Sequence, residues 1–224
     1  MPKMIDLTMP VPRAHFRWPL ERRLLKSHAA GDVAEATWFG TTVHAFTHVD
    51  APRHFDPDGP TTDALTLDRV TGEAAVLDFA GIAANAPITA AMIAAAGEHA
   101  VGGDIALLRT GWSDRRSIDA AEFWTGAPYV EAAAAVWLRE RGVKAVGFDF
   151  PQDHCVRDLV TGARQPAREE HVTHIELLCR GVLLFEYLCN LSAITRPRVQ
   201  FLGLPIKLTD ADGAPARVIA IEDD

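Results

Sequence analysis

The sequence predicts a mixed α/β fold in one compact domain. Three observations predict it. At 224 residues the chain has the size of one domain or two small ones and is long enough to bury a core without disulfide staples. Through its middle, apolar strand-like runs alternate with helix-like runs. Near both ends only strand-like segments follow one another, which argues against a strictly doubly wound parallel sheet.

The elements follow in order. Ile5 to Thr8 is a short apolar strand. His15 to Ala30 mixes Arg, Pro and Trp with no clean period and reads as an irregular excursion, a flap. Ala36 to Val43 is rich in aromatic and β-branched residues and reads as a strand. Phe55 to Thr62 is a turn-rich loop. Glu73 to Phe79 is a buried strand, and the alanine-rich stretch from Thr89 to Glu98 is a helix started by Pro87 and ended near Gly97. Ile105 to Arg109 is a strand, Val130 to Arg141 a helix stopped by Gly142, and Lys144 to Phe150 a strand. Arg168 to Cys179 is a helix closed near Gly181. Val182 to Leu188, Val199 to Leu208 and Arg217 to Ile221 complete the sheet.

Composition excludes several functions. Hydrophobic residues at 48% and charged residues at 23% are the ordinary globular mix, so disorder and fibrous repeats are excluded. A formal net charge of −8 disfavours nucleic acid, and the densest basic run, Arg17, Arg22, Arg23 and Lys26, is interrupted by Glu21. No apolar run reaches the length of a membrane span, and Met1 to Asp6 lacks the apolar core of a signal peptide. Cys155, Cys179 and Cys189 form no CxxC pair and are odd in number, so a disulfide framework is not expected and a cytoplasmic setting fits. There is neither a GxGxxG nor a P-loop, and so no reason to expect a nucleotide.

The chemistry lies in the histidines. The segment HAFTHVDAPRH carries His44, His48, Asp50 and His54 at even offsets within eleven residues. On an extended chain, residues two apart share a face, so all four would point one way. On a helix Asp50 and His54 would swing away, and Pro52 opposes a helix there. The expected setting is a strand end running into a bent loop. Neutral imidazole and carboxylate are what a divalent cation binds. Two histidines and an aspartate leave an open position for water, and a further histidine can move protons near pH 7. A second window carries His171, His174 and, beyond Gly181, Glu186. Glu186 sits inside an apolar run, and a buried carboxylate needs a metal or a cationic partner.

The segment HAFTHVDAPRHF resembles the HxGTHxDxPxH signature of the cyclase family of metal-dependent hydrolases, which includes bacterial kynurenine formamidase and isatin hydrolase. The match covers His44, Thr47, His48, Asp50, Pro52 and His54. It continues through Leu65 to Gly72, Leu107 to Trp112, and the stretch from His174 to Glu186. The resemblance implies a single α/β domain over residues 1–224, with a mixed, barrel-like sheet and flanking helices. It implies that His44, His48 and Asp50 bind a first metal, and that Asp50 bridges to a second held by His174 and Glu186. The ions would be Zn2+ or Mn2+, two per chain. His54 would be the general acid/base and Trp18 would line the substrate pocket, where Phe46, a departure from the motif, is also expected. The partner would be a small-molecule substrate, with no nucleic acid and no membrane, and the chain would form a homodimer or homotetramer.

Three departures touch the pocket. Phe46 replaces the motif glycine, which implies a different local backbone or a ring pushed into the pocket. Gln152 stands where the family's GxDxxSxD pattern has serine. The segment after Trp18 and Pro19 lacks the formamidases' glycine-aspartate turn. The expected activity is hydrolysis of a carbon–nitrogen amide bond in a formylated aromatic amine. The runner-up is a cyclic amide of the isatin type, and a dehydratase or cyclase is third. The alternative of another class is a non-catalytic metal or small-molecule binding protein.

Overall fold

The computed structural model describes residues 2–223. Its strands are β1 (Lys3–Asp6), β2 (Leu20–Lys26), β3 (Ala36–Thr41), β4 (His48–Asp50), β5 (Thr71–Asp78) and β6 (Pro87–Ile88). They continue with β7 (Ile105–Arg109), β8 (Tyr129–Val130), β9 (Ala145–Phe148), β10 (Leu183–Glu186), β11 (Arg198–Pro205) and β12 (Gly213–Glu222). The main sheet runs β1-β12-β11-β5-β7-β9-β10-β4, and β4 pairs again with β12. Seven strands therefore close into a barrel. The long β12 makes this possible. Gly213 to Pro215 pair with β4, and Ile219 to Glu222 pair with β1 further along the same edge.

The sheet is mixed. β5, β7, β9 and β10 are parallel, and the remaining barrel pairings are antiparallel. Parallel neighbours need crossovers, which the helices Ala90–Ala96, Ala132–Glu140 and Val172–Glu176 help to provide. The first starts at Thr89, whose hydroxyl accepts from the Met92 amide. The two-residue period of a strand then separates two cores. Val49, Val76, Ile105, Leu107, Leu183, Phe185, Phe201 and Val218 fill the barrel. Leu77, Ala106, Leu108, Val146, Phe148 and Leu184 face the helices.

The expected mixed α/β barrel is present, with three local corrections. The irregular stretch before Ala30 contains β2, which pairs only with β3, so the strand expected at Ala36 to Val43 belongs to a separate two-stranded hairpin. Every residue of β2 after Leu20 is exposed, which removes the alternation that would have marked it as a strand. The helix expected from Arg168 to Cys179 is three short pieces: a 3-10 turn at Arg168–Glu170, an α-helix at Val172–Glu176 and a 3-10 turn at Leu178–Arg180. The break has a cause, since the Asp153 carboxylate accepts from the Thr173 amide at 2.8 Å and fixes a new helix start. Finally, only His48–Asp50 of the histidine motif is strand. His44 lies in the preceding turn and His54 in a 3-10 turn over Pro52–His54. No described helix is long and apolar enough to cross a membrane.

Candidate metal centre

Strand pairing builds the centre. β4 lies between β10 and β12, with Glu186 opposite His48 and Gly213 opposite Asp50. Val49 points into the barrel, so His48 and Asp50 point to the helix-covered face, as does Glu186 beside the inward Phe185. The helix at Val172–Glu176 brings His174 over the same face.

The side chains converge. His44 Nδ1 lies 2.7 Å and His48 Nε2 3.0 Å from Asp50 Oδ1. His174 Nε2 lies 3.4 Å from Asp50 Oδ2 and 3.5 Å from Glu186 Oε1. His48 Nε2 is 3.8 Å from Glu186 Oε2. Two of these buried atoms, His48 Nε2 and Asp50 Oδ2, have no hydrogen-bond partner. An orphaned imidazole nitrogen and an orphaned carboxylate oxygen on one point are costly unless something binds both. They fit a divalent cation.

Supporting contacts aim the ligand atoms. His48 Nδ1 donates to the Phe46 carbonyl at 2.7 Å, and His174 Nδ1 donates to Asp153 Oδ2 at 2.7 Å. Each bond turns Nε2 toward the carboxylates, the nitrogen a metal would take. Gln152 Nε2 donates to Glu186 Oε1. The partial GxDxxSxD match thus has a structural reading. Gly147 leaves room inside the barrel for Leu107 and Leu188, and Asp149 accepts from the amides of Thr110 and Gly111. Gln152 and Asp153 reach the centre itself.

Charge follows from these distances. Asp50 is fully buried, yet the histidines His48, His174 and His44 hold its carboxyl well below the ordinary range. Glu186 is pushed up by burial and by the Asp50 charge beside it. Two neighbouring carboxylates with opposite shifts are typical of functional sites. Burial opposes a charge on His44, but hydrogen bonds to Asp50 and to Asp212 overcome it and raise its pKa to about 9. His44 Nε2 meets Asp212 Oδ2 at 2.9 Å, so its proton supplies positive charge between two carboxylates, a position a cation can take. Burial, with the neighbouring His44 and His174 cations, lowers His54 to about 4 and keeps it neutral.

A cavity of about 350 Å3 opens over these groups, lined by His44, Asp50, His54, His174 and Glu186, with Trp18, Phe55, Leu159 and Tyr187 as its apolar wall. Trp18 lines this cavity. Phe46 is not on the wall. Its backbone keeps the left-handed conformation that glycine favours, at φ 57°, and its ring is buried behind Trp18 with centroids 4.7 Å apart. Phe46 thus adopts a backbone that glycine would favour, and its ring is not among the residues lining the cavity. His54 stacks on His44 at 3.9 Å and has its Nδ1 3.2 Å from Asp212 Oδ2. The potential ligand groups are His44 with His48 and Asp50, Asp50 with His54 and His174, His44 with His54 and Asp212, and Asp153 with His171 and His174.

Asp212, Asp153, Gln152 and Tyr187 are missing from the sequence-based site. Asp212 lies 168 residues from His44, and only the β4–β12 pairing joins them. A buried-acid reading of Asp149 to Asp153 next to an apolar strand was the available signal for Asp153.

The sequence model of the Cyclase family, described as "Putative cyclase", matches residues 5–152. The chain belongs to the Cyclase family. Among curated Cyclase-type relatives, kynurenine formamidase of Bacillus mycoides is 28% identical over 178 residues, covering 80% of this chain and 76% of its own. Kynurenine formamidase of Bacillus anthracis is 25% identical over 221 residues, covering 97% and 96%. A solved structure described as a potential metal-dependent hydrolase with cyclase activity superposes with a TM-score of 0.76 at 26% identity over the whole of both chains. Isatin hydrolase A of Labrenzia aggregata gives a TM-score of 0.83 at 22% identity, covering 100% of this chain and 94% of its own, a likeness of fold.

Proposed function

We propose that this Cyclase-family protein is a metal-dependent hydrolase that cleaves a carbon–nitrogen amide bond of a small aromatic substrate, as an arylformamidase does. One observation carries the reading. Two orphaned, buried ligand atoms, His48 Nε2 and Asp50 Oδ2, meet beside a neutral histidine, His54, under an aromatic-walled cavity. The kynurenine formamidase relatives support the same class.

The proposed ligands are His44, His48 and Asp50 for one ion, and Asp50, His174 and Glu186 for a second. The proposed ions are Zn2+ or Mn2+. When bound, such ions polarise a carbonyl and acidify water. The chain does the rest. His54 is a base at neutral pH, and it takes the proton of the attacking water and returns it to the leaving nitrogen. Asp212 holds the His54 ring through Nδ1. The Phe46 carbonyl and Asp153 orient the His48 and His174 rings so that Nε2 faces the centre. Trp18 and Phe55 supply a flat apolar wall for an aryl ring and keep bulk water from the polar floor.

The same proton transfers serve a cyclic amide, whose leaving nitrogen stays attached to the product. The test uses a panel of N-formylkynurenine, formanilide and isatin. Turnover is expected to vanish on chelation and return with Zn2+ or Mn2+, with metal content read by elemental analysis. A metal-loaded protein that turns over none of the panel overturns the hydrolase reading and leaves a binding protein. A homodimer or homotetramer and a cytoplasmic setting complete the proposal, and light scattering tests the first.

A further inference from the structure

Arg17 is unlike the other charged residues around the cavity. Of the described residues lining it, Arg17 alone is Arg or Lys. The lining it shares includes the polar floor, the Trp18 and Tyr187 rings, and Gln165. It also borders a second opening, formed with Phe16, Trp18, Leu159 and Val160, and so stands where the cavity meets its mouth.

Its guanidinium is held by rings. The cation sits 4.5 Å from the Trp124 ring centroid and 5.6 Å from that of Trp18. The loop beneath it is fixed, because the Arg17 amide donates to His15 Nδ1 at 3.1 Å and the His15 ring stacks on Trp18 at 4.7 Å. Among the described residues, no carboxylate pairs with Arg17, and its side chain makes no hydrogen bond. Its Nε is buried with no partner. Elsewhere Asp6 holds Arg217, Asp104 holds Arg198 and Glu170 holds Arg164, while Arg17 is among the arginines that no carboxylate holds. An aromatic-clamped guanidinium with an unanswered Nε–H is preorganised for a planar anion.

We propose that Arg17 is the carboxylate receptor of this cavity, a specificity-determining residue that selects aryl amides bearing an anionic tail. The reacting amide would lie over Asp50 and Glu186, and the carboxylate would turn to the mouth, where Arg17 meets it. The acidic floor repels an anion, so Arg17, the one Arg or Lys among the described lining residues, sets the substrate's orientation as well as its affinity. The aryl amide part rests on the hydrolase reading above. The carboxylate part does not.

The test separates the two. Binding of kynurenine and of its carboxamide, which differ only in the carboxylate, is measured by calorimetry on the metal-loaded protein. Wild type is expected to prefer kynurenine by about ten- to hundredfold, the value of a charge-assisted hydrogen-bonded pair. Arg17→Met keeps the stem on Trp124 and is expected to erase that preference while leaving carboxamide affinity unchanged. Arg17→Lys keeps the charge without the fork and retains part of it. Thermal unfolding confirms that both variants fold. A preference that survives in Arg17→Met means that the carboxylate is held elsewhere and overturns the proposal, as does a wild type with no preference or no binding. Formanilide, which has no carboxylate, is run beside them. Its failure to react in wild type would count against the hydrolase reading alone.

Discussion

The two faces of β4 and β10 do opposite work one residue apart. Val49, Leu183 and Phe185 look into the barrel, where they join an apolar cluster with Val76, Ile105, Phe201 and Val218. His48, Asp50 and Glu186 look out under the helices, with orphaned polar atoms and carboxylates of opposing shift. The inner face stabilises the sheet by removing apolar surface from water, and the outer face spends some of that stability on holding polar groups apart. Because the strand period is two, neither face constrains the other's residue types. Substitutions on the two faces should therefore fail differently.

The largest expected effect is on the outer face. Asp50→Ala removes the residue shared by both ligand sets, so bound metal and turnover should fall to background while the circular dichroism of the barrel persists. A metal-replete, active variant would sink the bridging assignment. His54→Ala should retain metal and lower kcat by about 10²–10⁴, the usual value of acid/base catalysis. Full turnover would remove His54 from the mechanism. Phe185→Ala on the inner face should reverse the pattern. It empties volume beside Phe201 and should cost about 3–5 kcal/mol in urea unfolding, with turnover per folded molecule nearly unchanged. If it instead abolished activity at full stability, the separation of faces would be wrong. Gly213→Ala probes the boundary. A methyl there would lie 2.7 Å from His44 Cε1 and 3.1 Å from the Val49 carbonyl, so it should push the ring and weaken metal binding about tenfold. Unchanged metal affinity would show that the ring relaxes freely.

The smallest effect is a pH dependence. Burial lifts Asp149 to about 6, against hydrogen bonds from Thr110 and Gly111. The folded state thus keeps a proton that the unfolded chain releases near pH 4. Its stabilisation is full below about pH 4 and declines as pH rises through about 6. Asp149→Asn should flatten the unfolding free energy across that window, whatever its overall stability. An unchanged slope would place the titration elsewhere.

The same contrast explains what the sequence could show. His44, His48, Asp50 and His54 were legible because they crowd into eleven residues, although the reason for their meeting was not one extended strand. A turn, three strand residues and a 3-10 turn wrap them around Asp50. Glu186 was legible as a charge inside an apolar run. Asp212 and Arg17 were not, since each reaches the site through contacts across the fold that no local pattern encodes. β2 stayed hidden because an exposed, charged strand has no buried face to mark it. The short helix carrying His174 was misjudged because its start is set by Asp153, a tertiary cap, and not by its own sequence.

Phe46 ties the wall of the cavity to its floor. Its carbonyl fixes the His48 ring, and its side chain stands behind Trp18. A load placed on the indole by a docking ring is passed in part through Phe46 into the backbone that aims His48. Wall and ligand are parts of one rigid bracket, so reshaping the cavity at Trp18 also resets the angle at which His48 presents its nitrogen.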